Sequence, residues 1–164
     1  MKREFFVAAA LSALFSTGSV TAFSADTAKA KQIERGRYMA ITGGCNDCHT
    51  AGFAPNEGKI PEKDWLLGSG PLGYSGPWGT TYATNLRLLI AGMSENDWVK
   101  LAKSLKTRPP MPWFNVNKWH EADMRAFYQY VKSLGSAGEP APAYLPPGQA
   151  PKPPFVQWPS PPKP

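Results

Sequence analysis

Cysteine is scarce in this chain of 164 residues: there are two, Cys45 and Cys48, and both sit in one motif. A disulfide framework needs several spaced cysteines, so that class of small scaffold is excluded. Histidine is as rare, with only His49 and His120, which leaves too few donors for a multi-histidine metal centre. Charged side chains make up 18% of the chain, and Arg and Lys nowhere cluster as a nucleic-acid surface requires. Long hydrophobic runs are missing too. The one candidate, residues 5–15, is interrupted by Ser12 and is short for a bilayer-spanning helix. What the chain has in excess is glycine and proline, 15 and 18 residues. Together these features predict one modest folded body with much loop.

The first residues have the layout of an export signal. Lys2 and Arg3 form a positive start, the apolar run follows, and Ala22-Phe23-Ser24 offers small residues at the two specificity positions. Cleavage is expected after Ser24, with Ala25 or Ala28 as other positions. The mature protein is then expected in the periplasm, with no integral membrane segment. Losing Lys2, Arg3 and Glu4 lowers the formal charge from +6 to +5. A basic surface on an exported chain fits an acidic protein partner better than nucleic acid.

Downstream, residues 28–41 predict a helix, with Ile33, Gly36, Met39 and Ala40 on its apolar side. Gly43-Gly44 ends it directly before Cys45. From 50 to 81 no periodicity survives, and no alternating strand pattern is evident. The large apolar residues in this stretch, such as Trp65, Leu66, Tyr74 and Trp78, need something to pack on. A short helix is expected over 85–92. In the next helix Ser94 is the cap, Asp97 stands in a box-like position, and Trp98, Leu101, Ala102 and Leu105 form the stripe. Arg108-Pro109-Pro110-Met111-Pro112 stops it. A last helix over 121–134 has Met124, Phe127, Tyr128, Val131 and Leu134 on one face and Gly135 as terminator. Residues 139–164 hold eleven prolines in 26 positions, so this tail is expected to be extended. Its Tyr144, Leu145, Phe155, Val156 and Trp158 mark it as an arm that docks on the body or on a partner. The expected organisation is a signal over 1–24, a helical body over 28–138 and the tail over 139–164.

Cys45-Asn46-Asp47-Cys48-His49 is the chemical centre of the sequence. Structural zinc takes four ligands, usually from two separated pairs, and adjacent Cys48 and His49 would strain to share one tetrahedral ion. A redox dithiol opens a helix after a strand, whereas here a helix precedes the motif. Covalent haem uses every residue. Two thiols two residues apart add to the two vinyl groups, and the histidine beside the second thioether is aimed at the iron. One motif means one haem c.

Function then turns on the sixth iron ligand. A filled position moves electrons, while an open one makes a haem enzyme or gas sensor. Met39 and Met124 lie on helix faces, Met93 precedes a cap, and His120 opens the last helix. Met111 stands between prolines in a stiff segment, where a thioether is held at the iron with little loss of entropy. His49 and Met111 are therefore the expected axial ligands. A neutral thioether favours reduced iron, so the potential is expected to be relatively high.

Arg35-Gly36-Arg37-Tyr38 before the Cys-x-x-Cys-His motif, Gly79-Thr80-Thr81-Tyr82-Ala83-Thr84-Asn85-Leu86, Met111-Pro112-Trp113 and the helix at 126–134 resemble class I c-type cytochromes. More narrowly, they resemble the cytochrome subunits that accept electrons from periplasmic alcohol, aldehyde or sugar dehydrogenases. The resemblance covers residues 33–135. It implies a small all-α fold around the haem, with the first and last helices crossing near Gly36 and Tyr130. It implies that Tyr82 and Asn85 lie beside the haem. It also implies a one-electron carrier and not an enzyme, with a dehydrogenase as donor and an oxidase or another cytochrome as acceptor, or else a fixed subunit of a dehydrogenase complex. Arg87 stands where that family commonly carries Thr.

Overall fold

The structure, a computed structural model, describes residues 19–159. The apolar run of the expected export signal lies outside the described residues. The first helix, α1 (Ser19–Thr42), already includes the nine residues before the expected position 28. No Gly or Pro interrupts the chain between Ser19 and Gly36, and four alanines favour the helical state. Among the described residues, no helix is long and apolar enough to cross a membrane.

After α1 come the one-turn α2 (Cys45–His49), α3 (Leu86–Ala91), α4 (Glu95–Ser104), the short α5 (Trp113–Val116) and α6 (Glu121–Leu134). The caps are those the residues favour. Ser94 Oγ accepts from the Asp97 N–H at 3.2 Å and starts α4. Asn85 accepts from the N–H groups of Arg87 and Leu88 and starts α3. Gly135, with φ 73°, ends α6.

The body is organised by the crossing of α1 and α6. At Gly36 the helices touch through backbone: a Cβ there would lie 2.0 Å from the Ala126 carbonyl oxygen and 2.6 Å from Tyr130 Cβ. Only glycine admits that approach. Beside the crossing, Glu62 accepts from Tyr130 Oη at 2.8 Å and from Arg37 Nε at 3.1 Å. Those bonds tie both helices to the short 3₁₀ turn Glu62–Asp64. Trp98 stacks on Phe127 with ring centroids 5.4 Å apart, and its indole N–H donates to the Met124 carbonyl, so α4 closes the other side of α6.

An all-α description needs correction. The stretch read as structureless contains a hairpin of β1 (Gly73–Gly76) and β2 (Gly79–Tyr82), joined through Pro77 and Trp78. A third strand, β3 (Phe155–Gln157), pairs in parallel with β1, giving the order β2-β1-β3. Gly73, Gly76 and Gly79, with Ser75, Thr80 and Thr81, leave no apolar alternation, which hid the hairpin from periodicity. The partner of β1 that completes the sheet lies about eighty residues away in the chain, beyond any local signal.

The proline-rich tail lies on the body. Leu145 exchanges backbone hydrogen bonds with Thr80 at 2.8 and 3.1 Å. Tyr144 Oη donates to the Trp78 carbonyl at 2.7 Å. The ring of Trp158 packs beside Tyr74 and Trp78, and its backbone N–H donates to the Ser75 carbonyl at 2.7 Å.

Candidate functional site

The site begins at the end of α1. Gly44, with φ 67°, turns the chain in a left-handed step that L side chains rarely adopt, and α2 starts at once. In that single turn Cys45, Cys48 and His49 all border one cavity of about 440 Å³. Leu86, Leu89, Trp98, Leu101, Val116 and Phe127 supply much of its wall.

His49 is oriented from its far side. Its Nδ1 lies 2.7 Å from the Thr84 carbonyl oxygen. A carbonyl can only accept, so Nδ1 carries the proton and Nε2 keeps its lone pair. Burial pushes the His49 pKa below 6.5, against the opposing effect of the Thr84 bond, so the ring is held neutral. The surrounding loop is laced in place. Gly68 N–H donates to the His49 carbonyl at 2.8 Å, and Ser69 Oγ accepts from the Ala83 N–H at 3.1 Å.

Both cysteines are free thiols. Burial, helped by the charge of Asp47, pushes the Cys45 pKa up to about 12. Cys48 is raised as well, chiefly by burial, although a hydrogen bond with Tyr74 opposes it. A catalytic dithiol depends on a lowered thiol pKa, and this environment does the opposite. Among the described residues, no group of three or more His, Cys, Asp or Glu side chains is arranged to hold a metal ion.

Met111 borders the same cavity, with Pro110 and Pro112 on either side of it. It is the only methionine that does so among the described residues. Met124 is fully buried in the core, and Met39 and Met93 pack against that core. His120 is the N-cap residue of α6 and does not border the cavity.

Tyr82 and Asn85 part company. Tyr82 borders the cavity, while Asn85 does not. The Asn85 side chain caps α3 and donates to the carbonyls of Ala137 at 2.9 Å and Glu139 at 3.2 Å. Its place in the site is indirect: it anchors the residue after Thr84, whose carbonyl holds His49. An asparagine before a Leu-rich turn is a readable cap signal, although the family resemblance implies a place beside the haem. Backbone carbonyls such as that of Thr84 leave no side-chain signature at all. Thr81, Tyr74 and Arg108 also border the cavity, and no sequence pattern singles them out.

A haem suits these residues. The cavity wall is mainly apolar, as a macrocycle requires. Two thiols, a neutral imidazole with a free Nε2 and a thioether reach one space. Thr81, on the same wall, has a buried hydroxyl with no hydrogen-bond partner among the described residues. A bound group with a polar edge would satisfy it.

No protein-family model matches the chain, and no solved structure matches it. One of the subunits of nicotinate dehydrogenase from Pseudomonas putida is 27% identical over 124 residues, which is 70% of this chain and 10% of the relative. The fructose dehydrogenase cytochrome subunit of Gluconobacter japonicus is 27% identical over 109 residues, 60% of this chain and 20% of the relative. The chain thus spans a fifth or less of the length of these relatives. It is distantly similar to dehydrogenase subunits, one of them a cytochrome subunit.

Proposed function

We propose that this chain is an exported monohaem c-type cytochrome that carries one electron at a time. The observation that carries this reading is the convergence of Cys45, Cys48, His49 and Met111 on one largely apolar cavity, with His49 oriented by Thr84. Cys45 and Cys48 would hold the haem through thioethers, and His49 Nε2 and Met111 Sδ would be the protein ligands of its iron. The bound haem supplies a one-electron couple. The protein supplies the environment. Burial keeps His49 neutral, and the Thr84 carbonyl keeps it aimed. The prolines around Met111 keep its thioether near one place. The leucines and aromatic rings exclude water, which disfavours the extra charge of oxidised iron.

The reading places the chain in the periplasm after removal of residues 1–24. A dehydrogenase is the donor class, in line with the names of the two relatives. An oxidase or another cytochrome is the acceptor class. An enzyme or sensor with an open sixth position would want a distal polar side chain, and His120, the histidine left to serve, does not border the cavity.

Carbon monoxide added to the dithionite-reduced protein at neutral pH tests the proposal, with the Soret band as readout. An unchanged band means an occupied sixth position and an electron carrier. A prompt shift means open or weakly capped iron, and replaces this reading with the enzyme or sensor.

A further inference from the structure

The geometry points to Tyr144 and Arg108 as a clamp by which the C-terminal tail positions Met111. This inference rests on the His49/Met111 ligation proposed above.

The segment that carries Met111 is poorly anchored in its middle. Between the end of α4 and the start of α5 it has no regular structure. Asn117 Nδ2 holds its first part, donating to the Leu105 carbonyl at 3.2 Å, and the Trp113 N–H closes on the Met111 carbonyl at 2.9 Å. Arg108 lies between those anchors and is exposed. Among the described residues no carboxylate forms a salt bridge with it. Its guanidinium instead lies over the Tyr144 ring, 3.7 Å from the centroid, a close cation–π stack.

Tyr144 is itself fixed. Its hydroxyl donates to Trp78, and the next residue, Leu145, is paired in both directions with Thr80 of β2. The tail runs so close to the hairpin that a Cβ at Gly79 would lie 2.2 Å from the Leu145 carbonyl oxygen. Thr81 and Tyr82 follow in β2, and they border the cavity together with Arg108 and Met111. The tail therefore bridges two parts of one wall. On one side is the β-hairpin. On the other is the segment in which only Pro109 and Pro110 separate Arg108 from Met111. Those residues have fixed φ angles, so a restraint at Arg108 is passed to Met111 with little slack. A free proline-rich end would have no such effect. Tyr144 acts on Met111 through Arg108, so the two are positioning residues.

The test uses the full-length haem-loaded protein with Tyr144→Ala, Tyr144→Phe and Arg108→Lys. Three readouts are taken: the weak red charge-transfer band of a thioether bound to ferric iron, the rate at which imidazole displaces that thioether, and the rate of trypsin cleavage after Lys106. Loss of one exposed stack predicts a displacement rate about fivefold higher in Tyr144→Ala. Cleavage after Lys106 is faster in the same variant, while the thermal midpoint stays close to the parent. Tyr144→Phe keeps the ring but loses the bond to Trp78, so it lies between the parent and Tyr144→Ala. Arg108→Lys keeps the charge and loses the planar stack, so it falls between. A parent with the band, and variants that match it in displacement and cleavage, overturns the clamp and leaves the ligation standing. A parent without the band overturns both. Should Tyr144→Ala not fold, Arg108→Lys on the exposed surface decides the question by the same two rates.

Discussion

Gly36 lies against Ala126 so closely that a methyl group at position 36 would stand 2.0 Å from the Ala126 carbonyl oxygen. The α1–α6 crossing, on which the rest of the body is assembled, therefore depends on one missing side chain. Gly36→Ala must push the helices apart or bend one of them. A loss of about 3 kcal/mol is expected, at the upper end for overpacked cores, because the obstacle is backbone. Thermal unfolding of the haem-loaded protein measures it. A midpoint equal to that of the parent would contradict the crossing.

Arg87 explains a feature that looks out of place in a leucine-rich turn. It is buried, and its guanidinium donates to the carbonyls of Lys63 at 2.7 Å and Gly135 at 2.6 Å, and to that of Leu134. One side chain thus caps the C-terminal end of α6 and ties it to the 3₁₀ turn. Arg87→Met keeps the length of the stem and removes every donor. About 3 kcal/mol of stability should be lost, since three part-buried carbonyls lose a charged donor. Denaturant unfolding checks this, and an unchanged midpoint would mean that water serves those carbonyls as well.

Acid should loosen the packing of α6 through its first turn. Hydrogen bonds and charges from Lys103 and Arg125 hold the Glu121 pKa down to about 2, and Arg35 lowers that of Asp123. A carboxylate with a lowered native pKa binds fewer protons folded than unfolded, so its contribution is present above the unfolded value and fades as pH falls. The window runs from the ordinary carboxylate range near pH ~4 down to about 2. Glu121→Gln with Asp123→Asn should be less stable than the parent at pH 7 and converge with it at the bottom of that window. The difference is modest because these groups are partly solvated. Melting curves across the range test it; a gap that is constant with pH would refute the assignment.

How far the sequence reveals this molecule depends on how local each signal is. The bounds of α6 and the Ser94 cap are legible because helical period and capping are carried by residues within a few positions of each other. The motif residues Cys45, Cys48 and His49 are legible for the same reason. Met111 can be singled out because its neighbours are prolines. The hairpin is not legible, since Gly73–Gly76 and Gly79–Tyr82 have neither length nor alternation. Asn85 caps α3, and an asparagine ahead of a leucine-rich turn is a local signal of that role. The tail is legible as an extended arm with aromatic anchors, but the surface it meets depends on pairing with Thr80 and Ser75, far away in sequence.

The tail also decides the fate of the sheet's outer borders. Leu145 takes up Thr80 on the β2 side, and β3 covers β1 on the other. The border that remains is three residues long, with Pro153 and Pro154 before it and Pro159 after it. Proline donates no N–H, so pairing with a further strand cannot spread past these positions. Phe155 and Val156 are exposed there, 39% and 41%, and would otherwise invite a second chain. The abundant proline of this sequence thus doubles as protection against sheet-to-sheet aggregation, at the one place among the described residues where apolar strand is on show.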